Sequence, residues 1–371
     1  MSKIVADQNM PALEHTFARH GELFRLDGRR IKHSHVIDAD VLLVRSVTPV
    51  NAALLQDTAV RFIGSATIGI DHLDTQWLED NHIAWAHAPG CNADAAAQYT
   101  LAMMALACER LQQDFKQQTV GIIGRGNVGS RLERLLQALD IPVVACDPPL
   151  QEQGEHGLVS MSEACANSMI SLHVPLTRSG AYPTENLFDV EQLKSLQAGT
   201  LLLNTCRGGV VEKAALLQQL TSGRIRAALD VWPDEPYIDH ELLDAVTVAS
   251  PHIAGYSREG KFAGTEMIYE AYCRKFGFGE DGQARSLNKE TTLELSPQMP
   301  AGEVLQQLLQ SSCPVARDDA ALRALPEGGG RVQFDSLRSA YPQRYEFKSH
   351  RLIGLTGELR QQFIELGCKA T

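Results

Sequence analysis

Residues Thr119–Asp147, TVGIIGRGNVGSRLERLLQALDIPVVACD, decide the fold of this 371-residue chain. Val120, Ile122 and Ile123 form a short apolar run suited to burial on both faces of a parallel sheet. Gly124-x-Gly126-x-x-Gly129 follows at once. The first glycine permits the tight turn, the second lets backbone approach a pyrophosphate, and the third lets helix and strand pack closely. A helix from about Asn127 then aims its free N–H groups and positive dipole end at the phosphates. Leu132, Leu135, Leu136 and Leu139 recur at helical spacing and give that helix its buried stripe. Ile141–Cys146 is the next strand, closed by Asp147. A carboxylate there accepts hydrogen bonds from both ribose hydroxyls and repels a 2′-phosphate, which selects NAD over NADP. Glycine triplets alone are common turns. The order strand, turn, helix, strand, acid makes this one a dinucleotide site. Pro148 and Pro149 are expected only to stop the strand.

The bulk numbers narrow the rest. A chain of 371 residues exceeds one ordinary core, so two or three domains are expected. It is 44% hydrophobic and 21% charged, as soluble globular proteins are. A net charge of -11 argues against nucleic acid as a partner, though not against a local basic pocket. The eight cysteines show no CxxC pair and no metal spacing, which reads as reduced thiols and no metal. Neither a signal-peptide core nor a membrane-length apolar run is visible, so a cytoplasmic protein without a membrane partner is expected.

Before the glycine turn, Lys3–Ala6, Val41–Arg45, Arg61–Ala66 and Ile83–Ala88 read as strands. Helices are expected over Pro11–His20, Asn51–Gln56 and Asp74–Asp80. Strands alternating with helices imply a second doubly wound parallel sheet. Ser46-Val47-Thr48 and Ser65-Ala66-Thr67 follow strands at their carboxyl ends, where open α/β sheets bind ligands. Helix capping explains such hydroxyls equally well. Asp71-His72 reads as a capping carboxylate beside an exposed histidine, and Cys91 as a buried or half-buried thiol. Ala93–Leu111 is a long helix. Beyond Asp147, strands are expected at Met169–His173, Gly199–Thr205, Ile225–Val231 and Val246–Ala249, with helices over Val210–Leu220 and from Ser257. From about Asp281 the texture changes, and a smaller third domain is expected.

Arg207, Glu235 and His252 lie at or after strand ends in the nucleotide-binding half. Each alone has an ordinary explanation as a surface or loop residue. Together they suit one reaction. Oxidising a secondary alcohol beside a carboxylate needs a cation for that carboxylate and a base for the hydroxyl proton, with hydride passing to nicotinamide. Arg207 grips a carboxylate with two parallel donors, and an imidazole such as His252 exchanges protons near neutrality. Glu235 suits the far ring nitrogen, fixing the tautomer.

The segments NTCRGGVVEKAALLQQL, ALDVWPDEP and SPHIAGYS resemble three motifs of the D-isomer-specific 2-hydroxyacid dehydrogenases, in order and spacing. The resemblance covers the first three quarters of the chain. It implies two Rossmann-like domains flanking a cleft: residues 1–92 with 257–280 for substrate, and 93–256 for NAD. It also implies Arg207, Glu235 and His252 as the catalytic set. The cofactor contacts it implies are Gly124, Gly126, Asn127, Val128, Gly129, Asp147, Val174, Thr205, Cys206, Asp230 and Gly255. Val174 replaces a family threonine, which leaves at most a backbone contact there, and Arg125 is bulkier than in many relatives.

A narrower branch of the family is similar in DQNMP, VRSVTPVN, ATIGIDHLD, APGCNADAAAQY, HIAGYSREGK, RDDAALRAL and FDSLRSAYPQRYEF. That branch implies a phosphorylated 2-hydroxy acid as substrate, with contacts from Ser46, Thr67, Arg207 and Tyr256. It further implies that residues 281–371 form a small α+β domain used for homodimerisation. Arg45 and Arg258 are candidate cations for the phosphate. Two rivals stay open: a dehydrogenase for another acid such as 3-phosphoglycerate, and an NAD-sensing regulator that keeps the scaffold.

Overall fold

The computed structural model describes residues 2–279, 290–326 and 330–371. The chain divides into two units. The first holds residues 2–92 and 257–279, the second 93–256 with 290–326 and 330–371.

In the first unit, β1 (Ser2–Asp7), β2 (Gly21–Leu26), β3 (Val41–Val44), β4 (Phe62–Ser65) and β5 (Ala84–His87) form a parallel sheet ordered β2-β1-β3-β4-β5. The order reverses between β1 and β3, a switch point of the kind that opens a ligand crevice. Both faces are buried, as the continuous apolar runs require. Ile4, Leu43 and Phe62 pack with Ile268, Tyr269 and Tyr272 of the helix Arg258–Phe276, while Val5, Leu42 and Ile63 pack on the other side. That helix starts at Ser257, whose hydroxyl accepts from the Gly260 amide at 2.9 Å, and stops at left-handed Gly277. Two expectations fail here. Pro11–His20 is a set of turns ending in a 3-10 helix, Phe17–Arg19, because Pro11 and positive-φ Ala12 break the helix and only Leu13, Thr16 and Phe17 are buried. Gly21–Leu26 forms an unexpected edge strand, recognisable only through its pairing with β1.

In the second unit, β6 (Val120–Ile123), β7 (Val143–Cys146), β8 (Met169–Leu172), β9 (Leu201–Asn204), β10 (Arg226–Leu229) and β11 (Val248–Ala249) are parallel, ordered β11-β10-β9-β8-β6-β7. The chain runs outward from β6 to β7, then resumes on the other side at β8, so the switch point lies at the carboxyl end of β6. The glycine turn sits there. Helix Gly129–Ala138 buries Leu132, Leu135 and Leu136 with Leu139 just beyond it, each worth roughly 1.5–3 kcal/mol of burial. Pro148 and Pro149 do more than stop a strand. They open the helix Pro148–Glu152, which Asp147 caps through Leu150 N at 3.1 Å.

The C-terminal residues pack on the same unit. They combine helices with a small parallel sheet of β12 (Thr291–Glu294), β13 (His350–Ile353) and β14 (Lys369–Ala370). Helices Ala301–Ser312 and Val315–Arg323 lie along Ala93–Leu111, burying Leu305, Leu308 and Val315. Two buried carboxylates pin this contact. Asp318 accepts from the Tyr99 and Tyr341 hydroxyls at 3.0 and 2.7 Å. Asp319 accepts from the Ala249 amide at 2.7 Å and pairs with Arg110 and Arg323.

Candidate active site

The second unit assembles three loops at the carboxyl ends of β9, β10 and β11. After β9, Asn204 turns back on its own loop: Oδ1 accepts from Cys206 N at 3.1 Å and Nδ2 donates to Arg207 O at 2.9 Å. Arg207 itself is half-buried and donates through Nη1 to Cys206 O at 2.8 Å. A Cβ on Gly208 would stand 2.0 Å from the Trp232 carbonyl. Only glycine lets the Arg207 loop touch the loop that carries Glu235.

That second loop closes on itself and reaches the third. Glu235 accepts from the Trp232 amide at 2.7 Å through Oε1, and its Oε2 lies 2.6 Å from His252 Nδ1. Trp232 Nε1 donates to Ser250 O at 3.0 Å. Burial opposes the Glu235 charge. The charge and hydrogen bond of His252, the Trp232 amide and the Arg338 guanidinium outweigh it, and hold the carboxyl below its ordinary range. With Nδ1 on a carboxylate, His252 keeps Nε2 for chemistry. Asp230 works beneath this pair. Its carboxylate is almost fully buried and accepts from Ser250 Oγ at 2.6 Å, Ile253 N at 2.8 Å and Ala254 N at 3.0 Å. It thereby shapes the backbone that presents His252, Gly255 and Tyr256.

The dinucleotide signature has the geometry its sequence implies. Gly124 stands at φ 93°, and a Cβ there would meet His173 O at 2.7 Å. A Cβ on Gly129 would lie 1.9 Å from Gly124 O, so helix and turn are in direct backbone contact. Around Gly126 there is open space. An exposed backbone stretch before a helix N-terminus fits a pyrophosphate. Asp147 caps its helix and accepts from Arg125 N at 2.8 Å, which ties it to the turn. The bulky Arg125 pairs with Glu133 and Glu155 at 2.6 and 2.8 Å. Thr205 bonds Thr100 at 2.9 Å. Val174 follows His173, whose Nδ1 is buried without a partner.

In the first unit, Ser46 is exposed after β3 and Thr67 is half-buried after β4. Neither loop caps the helix that follows it; Asn51 and Asp74 do that. Thr67 Oγ1 lies 2.8 Å from Ser65 Oγ, which lies 2.9 Å from His72 Nε2. His72 is thus a half-buried member of a hydroxyl network, where an exposed ring beside a cap was expected; only tertiary structure brings it to Ser65. Arg45 is held at 3.0 Å by the buried Asp7, and Arg258 lies over the Phe262 ring at 5.0 Å. All eight cysteines are free thiols, with Cys91 half-buried.

Comparison with known proteins gives a consistent picture. Residues 95–254 match the family model described as D-isomer specific 2-hydroxyacid dehydrogenase, NAD binding domain. The chain is 43% identical to the erythronate-4-phosphate dehydrogenase of Marinobacter nauticus, over 99% of both chains. It is also 43% identical to the protein of that name from Acinetobacter baumannii, over 94% of this chain and 98% of the relative. Among solved structures, the NAD-bound 3-phosphoglycerate dehydrogenase of Entamoeba histolytica matches with a TM-score of 0.65 at 21% identity, over 77% of this chain and 99% of that one. The Aquifex aeolicus D-lactate dehydrogenase with NAD and lactic acid matches at 0.62 and 22%, over 74% and 96%. At these identities the structural matches speak for the fold.

Proposed function

The chain belongs to the erythronate-4-phosphate dehydrogenases, a branch of the D-isomer-specific 2-hydroxyacid dehydrogenases, and we propose the corresponding reaction for it. It oxidises 4-phospho-D-erythronate to (R)-3-hydroxy-2-oxo-4-phosphooxybutanoate with NAD, in pyridoxal 5′-phosphate biosynthesis. The observation that carries this reading is the end-to-end match at 43% identity.

The residues divide the work as follows. Arg207 holds the substrate carboxylate, which places the C2 hydroxyl at His252. Nε2 takes the hydroxyl proton, and Glu235 on Nδ1 stabilises the imidazolium that results. When bound, NAD supplies the acceptor for the C2 hydride. Gly124, Gly126, Asn127, Val128 and Gly129 cradle its pyrophosphate, and Asp147 its ribose. Val174, Thr205, Cys206, Asp230 and Gly255 line the rest. Ser46, Thr67 and Tyr256 contact the substrate. The protein works in the cytoplasm as a homodimer joined through its C-terminal residues, with neither nucleic acid nor membrane as partner. Among the described residues no helix is long and apolar enough to cross a membrane.

The test is NADH formation from 4-phospho-D-erythronate, beside 3-phosphoglycerate and D-lactate, in wild type and His252→Ala. A 2-oxo acid should be included and product followed directly, in case the cofactor is reoxidised in place. Preference for the erythronate phosphate, with kcat reduced about 10²–10⁴-fold in the variant, is expected. Preference for another acid keeps the family and removes the substrate. NAD binding without turnover of any acid favours a regulator.

A further inference from the structure

The C-terminal residues reach the catalytic loop with two arginines. Arg344 is buried and donates to the carbonyls of Ala95 and Ala254. Arg338, on the helix Arg331–Ser339, lies 5.8 Å from the centroids of both the Tyr256 and Phe334 rings. Tyr256 and Glu235 both sustain its positive charge. Its Nε is buried and has no hydrogen-bond partner. Tyr341 adds an edge-on ring contact to Tyr256 at 6.1 Å. A guanidinium buried with one donor unused is costly unless its charge serves nearby groups.

We propose that Arg338 is a positioning residue of the dehydrogenase site: its guanidinium fixes the Tyr256 ring and supplies a permanent positive charge beside the Glu235–His252 couple. This rests on the assignment of that couple as the acid/base pair. The groups that face it are Glu235, Tyr256, Asp335 and Arg338, with Asp230 beneath the loop. Burial works against the Arg338 charge, while Tyr256, Glu235 and Asp335 sustain it. A fixed cation beside Glu235 competes with the imidazolium for the same carboxylate. Arg338 thus links C-terminal residues, which carry none of the acid/base groups, to proton transfer.

The experiment uses the full-length protein with Arg338→Met and Arg338→Lys. The His252 ring is titrated by NMR, its signal assigned with His252→Asn. In Arg338→Met the His252 midpoint is expected to rise by about half a unit or more. The acid limb of kcat should move with it, and kcat at neutral pH should fall by up to about threefold for each half unit, with melting temperature and NAD affinity unchanged. Arg338→Lys keeps the charge without the planar fork. It should restore the wild-type titration yet leave KM raised, because Tyr256 is no longer stacked. A folded Arg338→Met with unchanged titration and kcat overturns the proposal. Should that variant not fold, a wild-type KM in Arg338→Lys does so instead. Wild-type protein that turns over no 2-hydroxy acid sinks the functional reading alone, since the titration still decides this one.

Discussion

His252 stands in the left-handed region at φ 55°, a conformation that costs a residue other than glycine about 1–3 kcal/mol. The surroundings hold it there: its amide donates to Asp230 O at 2.7 Å, and the next two amides bind the Asp230 carboxylate. A second histidine behaves differently. Burial pushes His173 down to about 3 from its ordinary 6.5. Keeping that ring neutral favours the folded chain only where the unfolded chain also leaves it neutral. The contribution is complete above 6.5 and declines as pH falls towards 3, by at most about 1.4 kcal/mol per unit. Glu235 adds a loss further down, below its ordinary 4.5, as its lowered carboxyl takes up a proton. Urea midpoints followed from pH 7.5 to 4.5 should therefore fall in wild type and fall less steeply in His173→Gln. Parallel slopes would assign the acid loss elsewhere.

The glycine turn separates two jobs that one motif combines. A methyl at Gly126 meets no protein atom, whereas one at Gly129 lies 1.9 Å from Gly124 O. Gly126→Ala should keep the wild-type melting temperature and lose NAD affinity about tenfold, because the methyl occupies the pyrophosphate's approach. Gly129→Ala should lose about 2 kcal/mol or more of stability, since backbone must move to admit it. Calorimetry with and without NAD separates the two; equal melting temperatures in both variants would contradict the contact. This element was legible in the sequence because its spacing is fixed by local geometry. So were the buried strands VLLV and LLLN and the helix Ala93–Leu111. Glu235 and His252 were legible only as a set, seventeen residues apart, and two loops bring them to 2.6 Å. The edge strand Gly21–Leu26, the parallel C-terminal sheet and the Ser65–His72 contact were not legible. The first two depend on partners distant in sequence, the third on a loop that folds back within seven residues, and none leaves a periodic signal of its own. Arg338 escaped notice for the same reason. Its only sequence trace was the motif FDSLRSAYPQRYEF, which marked the tail without assigning it chemistry.

At the scale of the molecule, ligand and assembly both enter stability. Saturating NAD at a hundred times its Kd should stabilise the fold by about 2.7 kcal/mol. The proposed homodimer should sediment at twice the 40.6 kDa chain mass, and a species of single-chain mass across micromolar concentrations would remove it. One more consequence follows from the first unit, which is discontinuous along the chain. Its sheet is complete after β5, but the helix Arg258–Phe276 that covers Ile4, Leu43 and Phe62 lies beyond the whole second sheet. At about 5–20 residues per second, a ribosome needs roughly ten to thirty seconds to travel from Asn92 to Ser257. Throughout that interval one apolar face of the nascent N-terminal sheet has only Met10, Leu13 and Phe17 packed on it and lacks Ile268, Tyr269 and Tyr272. This makes translation itself the period in which those first ninety residues run the greatest risk of aggregation.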